Sequence, residues 1–304
     1  MKTSPKKPKA APRKSAIVGR AQEMQSILWA IQSGRHLLVE GAVGVGKTYL
    51  VQTVAENLGR KFIRIDGDSR YTEQKLTGSF DPSTALKKGY NWKTFEPGPL
   101  VQAMQEGAIL FINELNRMPE NVQNVMLPAL DEGFIQIPHL GTLKAKPGFL
   151  VVATQNPREF VATSHLSEAL MDRMEWIPLS AQSEAEEIQI LEMAILPDSL
   201  PSPWLETCVA LVRSTRNHPK IKRGASVRAA IALARLLTQV QHLDAETFIR
   251  AGTMALANRI ELLASSTTGE QYQALIQLIV SDFFQSASET LKKKPSLTGP
   301  HANH

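Results

Sequence analysis

The segment Gly41-Ala42-Val43-Gly44-Val45-Gly46-Lys47-Thr48 satisfies the pattern G-x-x-x-x-G-K-[ST], and its flanks leave the chain little choice of fold. The apolar run His36-Leu37-Leu38-Val39-Glu40 leads into it as a strand. Tyr49-Leu50-Val51-Gln52-Thr53-Val54-Ala55-Glu56-Asn57-Leu58 follows as an amphipathic helix stopped at Gly59. Strand, glycine-rich loop and helix in that order read as a phosphate-binding loop. Glycines let backbone N–H groups turn inward and approach phosphate oxygens. The helix N-terminus adds the positive end of its dipole. Lys47 is the residue to reach β- and γ-phosphates, and the Thr48 hydroxyl is a ligand for Mg²⁺.

Bulk properties narrow the class. The 304 residues suffice for one large or two ordinary domains. A composition of 43% hydrophobic and 21% charged residues is that of a soluble globular protein. No apolar run approaches the roughly 18 residues that span a bilayer. The basic N-terminus has no apolar stretch behind it, so no secretory signal is expected. Cys208 is the only cysteine, which excludes an intrachain disulfide and fits a reducing cytoplasm. The net charge of +5 is mostly terminal. Lys2, Lys6, Lys7, Lys9, Arg13 and Lys14 crowd the start, and Lys292, Lys293 and Lys294 sit near the end. Setting those nine aside leaves 25 Lys and Arg against 29 Asp and Glu. The body is therefore mildly acidic, which argues against a nucleic-acid-binding surface. Residues 1–14, rich in Lys, Pro, Ala and Ser, read as a disordered solubilising tail, with contact to nucleic acid or an anionic surface as the alternative.

Residues 15–180 alternate short apolar strands with helices, the pattern of a three-layer α/β domain with a parallel sheet. Strands are expected at 36–40, 62–66, 108–113, 149–154 and 175–179. Val, Ile, Leu and Phe fill them almost continuously, as strands buried on both faces require. From Ser183 the pattern turns to helices alone, predicting an all-helical second domain over 181–292 and a frayed tail over 293–304. Ser183-Glu184-Ala185-Glu186 has the form of a capping box. Further helices are expected at 204–215, 225–241, 245–264 and 271–286.

Other candidates surround the loop. Ile17-Val18-Gly19-Arg20 precedes the first helix, as an ordinary lead-in or as a turn packing on an adenine ring. Ile109-Leu110-Phe111-Ile112-Asn113-Glu114 has the shape of a Walker B strand. The usual pair at its end is Asp-Glu, the first carboxylate holding the Mg²⁺ shell and the second polarising the attacking water. Glu114 is present. Asn113 keeps an acceptor oxygen but loses the charge, which weakens its attraction for a hard dication. Asn156, at the tip of the run Phe149-Leu150-Val151-Val152-Ala153-Thr154-Gln155-Asn156-Pro157, is placed to hydrogen-bond a γ-phosphate or an attacking water. Arg173, after Leu170-Met171-Asp172, is either half of a surface salt bridge or an arginine finger acting on a neighbour's ATP. Gly224-Ala225-Ser226-Val227-Arg228 opens a helix with Ser226 as a candidate N-cap. Arg228 then either points back at the nucleotide or is simply solvated.

Together these pieces resemble the AAA+ ATPases, and within them the MoxR branch. The resemblance covers roughly residues 15–290 and includes Phe95-Glu96-Pro97-Gly98-Pro99-Leu100 and Asn113-Glu114-Leu115-Asn116-Arg117 besides the segments above. It implies a three-layer αβα core with a parallel sheet and a helical lid. It implies that Asn156 is sensor 1, Arg173 the arginine finger and Arg228 sensor 2. Residues 78–96 look like the clade's insertion within helix 2, and 133–148 like its hairpin before sensor 1. It also implies ring hexamers with chaperone-like action, partners that carry von Willebrand factor A domains, and a client protein. Two departures stand out: Asn113 replaces the expected Asp, and Glu96 takes the place of a basic residue.

The resulting expectation is an ATPase that binds ATP and Mg²⁺ between subunits to remodel or mature a partner protein. The nucleotide set is Val18, Gly19, Gly41, Ala42, Val43, Gly44, Val45, Gly46, Lys47, Thr48 and Tyr49; Thr48 and Asn113 face the metal. Glu114, Asn156, Arg173 and Arg228 carry the chemistry. A nucleotide-gated scaffold with little hydrolysis is the alternative that Asn113 favours. A nucleic-acid motor ranks below both.

Overall fold

The computed structural model describes residues 17–156, 166–263 and 269–293, with side chains to Ser286. The tails expected at 1–14 and, save Lys293, at 293–304 lie outside the described residues, as does Pro157. The chain forms two compact units that divide between Ser180 and Ala181.

In the first unit α1 (Ala21–Gln32) precedes β1 (His36–Gly41), α2 (Lys47–Asn57) and β2 (Phe62–Asp66). An insert follows: α3 (Glu73–Thr77), β3 (Gly78–Phe80), α4 (Pro82–Lys88) and β4 (Phe95–Pro97), with β3 and β4 paired antiparallel. Then come α5 (Pro99–Glu106), β5 (Ile109–Asn113), a 3₁₀ turn at Leu115–Arg117, α6 (Glu120–Asn124) and α7 (Leu127–Asp131). The hairpin β6 (Phe134–Ile137) and β7 (Gly141–Lys144) leads to β8 (Leu150–Gln155), α8 (Glu168–Met171) and β9 (Met174–Leu179). The main sheet is parallel, in the order β2-β5-β8-β1-β9.

The continuous apolar strands follow from burial on both faces. In β5, Leu110 and Ile112 enter one core with Leu38, Val151 and Ala153. Ile109 and Phe111 enter the other with Leu37, Val39, Leu150 and Val152. Each such fully buried side chain contributes roughly 1.5–3 kcal/mol. Two strands depart from the expectation. β2 and β9 are the sheet edges, and each keeps exposed residues: Arg64 and Asp66 in β2, and Glu175, Trp176 and Pro178 in β9.

Parallel strands all end on the same side, so Gly41, Asp66, Asn113 and Gln155 share one edge of the sheet. The register pairs Asp66 with Asn113 and Glu40 with Gln155. In open α/β sheets this carboxyl edge is where ligands bind.

The second unit contains α9 (Glu184–Ile195), α10 (Ser202–Ser214), β10 (Ile221–Arg223), α11 (Val227–Leu237), α12 (Ala245–Leu256), β11 (Glu261–Leu262) and α13 (Gly269–Lys293). The expected capping box forms: Ser183 Oγ accepts from the Glu186 N–H, and Glu186 Oε2 accepts from the Ser183 N–H. Helices built around Phe248, Leu211, Leu233 and Val280 dominate the unit. An all-helical description needs one correction, the short antiparallel ladder between β10 and β11. It takes residues from the stretch read as a helix through 264, which ends at Leu256 because Arg259 and Ile260 turn the chain back.

Candidate functional site

The phosphate loop starts where β1 meets β9. A Cβ on Gly41 would stand 2.5 Å from the Leu179 carbonyl oxygen, so the strand tip admits only glycine. Gly44 and Gly46 have φ of 84° and 93°, which turns the backbone toward the N-terminus of α2. Gly46 occupies the N-cap position with no side chain to block the helix end. Lys47 Nζ donates to the Gly41 and Ala42 carbonyls at 2.7 and 3.0 Å, folding the ammonium over the loop. Val45 packs into the core beneath it, whereas Val43 and Tyr49 are exposed.

Thr48 lies against the tip of β5. Its hydroxyl donates to Asn113 Oδ1 at 3.2 Å, and the Thr154 hydroxyl donates to the same oxygen at 3.0 Å. Thr154 in turn accepts from the Glu114 N–H at 2.9 Å. Asn113 Nδ2 donates to Asp66 Oδ1 at 2.8 Å. Arg64 donates to that oxygen too, and its guanidinium holds the Asp66 carboxyl below the usual carboxylate range, with the Asn113 amide adding to the effect. Glu114 is left-handed, at φ 56° and ψ 52°, and its carboxylate pairs with Arg117 at 2.8 Å. Asn156 is buried just past β8, and Gln155 Nε2 donates to Glu40 Oε2 across to β1.

Val18 and Gly19 stand ahead of α1, where Gly19 and Arg20 are both left-handed. The Arg20 side chain is only 7% exposed. It donates to the Val45 carbonyl at 3.4 Å and to the Ser180 carbonyl at 2.5 Å, tying this segment to the loop and to the end of β9.

Arg173 lies at the other end of the sheet. It precedes Met174, whose register partner is His36, the first residue of β1. Five residues of strand, roughly 17 Å, separate that level from Gly41. Arg173 pairs with Asp131 at 2.8 Å and donates to the Ala169 carbonyl at 2.7 Å. Next to it His36 bridges the sheet: Nδ1 accepts from the Val151 N–H and Nε2 donates to the Leu130 carbonyl. Burial pushes the His36 pKa down to about 4. Arg228 sits exposed in the first turn of α11, within the second unit. Ser226 holds the N-cap position there without a side-chain cap bond, contrary to the expectation.

The loop geometry fits a nucleotide, and the oxygens of Thr48 and Asn113 suit a hard cation. Among the described residues no group of three or more His, Cys, Asp or Glu could hold a metal. Mg²⁺ takes few protein ligands and relies on phosphates and water, so two such oxygens are what this ion would ask of the chain.

The AAA domain (dynein-related subfamily) matches residues 36–174. Uncharacterized protein YeaC of Bacillus subtilis is 30% identical over 246 residues, covering 71% of this chain and 72% of that protein. The gas vesicle ATPase GvpN of Haloferax mediterranei is 26% identical, covering 75% and 69%. Chaperone MoxR1 of Mycobacterium tuberculosis is 32% identical over 186 residues, covering 60% and 47%. The chain belongs to the MoxR family of AAA+ ATPases. A mutant of Thermotoga maritima RuvB, 18% identical, shares the fold with a TM-score of 0.52 over 79% of this chain and 71% of its own. Among the described residues, no helix of this MoxR-family chain is long and apolar enough to cross a membrane.

Two residues of the site escaped the sequence reading. Arg20 stands in the sequence only as the last residue of the turn before α1. Asp66 closes an expected strand, and an acidic residue at a strand's carboxyl end is the one sequence signal that marks it.

Proposed function

We propose that this protein binds ATP with Mg²⁺ between subunits of a homo-hexameric ring and hydrolyses it to remodel or mature a partner protein. The observation that carries the reading is the contact of Thr48 with Asn113, beside Glu114 and under a loop built of left-handed glycines. Lys47 exchanges two loop carbonyls for β- and γ-phosphate oxygens. The α2 N-terminus and the inward N–H groups of the loop take the remaining phosphate charge. Val18, Gly19 and Tyr49 flank the base and sugar. Mg²⁺, when bound, supplies Lewis-acid stabilisation of charge on the transferring phosphoryl group. Thr48 and Asn113 present oxygens to it. Glu114 takes a proton from the attacking water, and Asn156 orients that water. Arg173 serves the site of a neighbouring subunit, and Arg228 links the helical lid to the γ-phosphate. The name of MoxR1 supports chaperone-like action. From the family resemblance alone, a von Willebrand factor A domain protein is the kind of partner we assign.

Asn113 favours a second reading, a nucleotide-gated scaffold of slow turnover, because it lacks the usual charge at the metal. Steady-state phosphate release by the purified protein separates the two. Lys47→Ala is expected to lower ATP affinity at least a hundredfold in calorimetry, the effect of losing a charge-assisted contact in a site built around negative charge. Unchanged affinity overturns the assignment of the loop.

A further inference from the structure

We propose that Asp66 supplies the carboxylate missing from position 113, acting as a positioning residue that turns the Asn113 amide oxygen toward the metal side of the site. This rests on the nucleotide reading above.

An asparagine at a strand tip has two faces. One end accepts and attracts a cation; the other donates and repels it. The hydrogen bonds around Asn113 select the first. The Asp66 carboxylate only accepts, so at 2.8 Å it takes the Nδ2 end. On the other side the polarity runs from the backbone. The Glu114 N–H donates to Thr154 Oγ1, so the Thr154 hydroxyl hydrogen is left for Asn113 Oδ1, at 2.9 and 3.0 Å respectively. Thr48 donates to that same oxygen. Asn113 therefore shows its oxygen to Thr48 and its amide hydrogens to Asp66.

The strand order makes this possible. β2 lies directly beside β5, and the register sets Asp66 opposite Asn113. Neighbouring strands lie about 4.8 Å apart. The negative charge absent from the β5 tip thus stands one strand away, joined through a single amide. A hydrogen bond from an amide to a carboxylate polarises the amide and raises the electron density on its oxygen. Arg64, donating to Asp66 Oδ1 at 2.9 Å, steadies the carboxylate in this pose.

The test uses the 304-residue chain and ATP itself. Calorimetry measures ATP affinity in EDTA and across a Mg²⁺ series for four proteins: unmodified, Asp66→Asn, Asn113→Asp, and the reciprocal exchange carrying both. Thermal melting without nucleotide is recorded alongside. Asp66→Asn should raise the Mg²⁺ midpoint about tenfold, the order set by a hydrogen bond to a charged group, while affinity in EDTA stays within about twofold. Asn113→Asp alone sets two carboxylates face to face and should melt below the unmodified protein. The reciprocal exchange should recover both the melting point and a Mg²⁺ midpoint at or below the original. A midpoint that Asp66→Asn leaves within twofold, or an equal loss in EDTA, overturns the proposal. Should Asp66→Asn fold poorly, the exchange decides: failure to recover the original midpoint overturns it equally. An unmodified protein that binds no ATP in either condition overturns the nucleotide reading itself, and this proposal with it.

Discussion

Arg173 offers the sharpest separation between action within a chain and action across an interface. Its level at the start of β9 is five strand residues from Gly41, roughly 17 Å. Its guanidinium is turned to Asp131 and the Ala169 carbonyl. Across 17 Å a unit charge is felt at about 0.2 kcal/mol in water and about 1 kcal/mol at an effective dielectric of 20. Removing Arg173 can then change turnover at its own site by about fivefold at most. A finger placed against a neighbour's phosphate is worth roughly 10³–10⁵ in rate. The two origins differ by more than two orders of magnitude, a gap that a slow basal rate does not close. Arg173→Ala should therefore leave ATP affinity nearly intact and lower phosphate release at least a hundredfold. Loss of the partly exposed Asp131 pair should cost the fold no more than about 1 kcal/mol. Specific activity of the unmodified protein should rise with concentration as rings assemble. Mixing Arg173→Ala with Glu114→Gln subunits should recover activity, because some interfaces then join an intact Glu114 to an intact Arg173. A fivefold or smaller loss, with no recovery on mixing under exchange conditions, refutes action in trans.

Two stability predictions concern groups outside the phosphate site. His36 is held neutral by burial, with a pKa near 4 against an ordinary value of 6.5. Its contribution is present above pH 6.5, falls as the unfolded chain takes up the proton first, and is lost by about pH 4. The interval corresponds to roughly 3 kcal/mol. Urea unfolding between pH 7 and 5 should show that slope, and His36→Gln should flatten it; an unchanged slope assigns the pH dependence elsewhere. In the second unit Glu187 is 4% exposed and accepts from Arg213 at 3.1 Å and Arg216 at 2.7 Å. Glu187→Ala should destabilise the unit by about 2–3 kcal/mol, below the usual 3–5 for a broken buried pair because both arginines keep some access to water. A loss under 0.5 kcal/mol in denaturant melts refutes the assigned role.

What the sequence revealed depended on how local each feature was. The phosphate loop is eight consecutive residues, and the strand before it and the helix after it formed as their patterns required. β1, β5 and β8 were legible because burial on both faces writes a continuous apolar run. β2 and β9 were found as strands, but their place at the edges was not, since edge or centre is a property of strand order. The β10–β11 ladder is two and three residues long and carries no periodicity to detect. Arg20 contacts carbonyls 25 and 160 residues away, and Asp66 pairs with Asn113 across 47. Such contacts exist only once β2 is set beside β5 and the end of β9 beside the loop.

Magnitudes also weigh the two functional readings against each other. Glu114 adopts a left-handed backbone that costs an L-residue roughly 1–2 kcal/mol and glycine nothing. If the turn after β5 needed only that conformation, glycine would serve it better. A glutamate there points to a use for its carboxylate, the direction in which backbone strain is properly read. Arg117 pairs with that carboxylate at 2.8 Å, and a scaffold reading would take this as a restraint on Glu114. The Arg117 side chain is half exposed, however, and a pair of that kind contributes about 0–1 kcal/mol. Such a hold shifts the carboxylate's availability by about fivefold at most and does not silence it. The scaffold reading then stands on Asn113 alone, whose amide donates to the Arg64-paired carboxylate of Asp66, one hydrogen bond away. The balance of these terms favours the proposed hydrolysing enzyme, with Asp66 on β2 acting on the metal side only through Asn113 on β5.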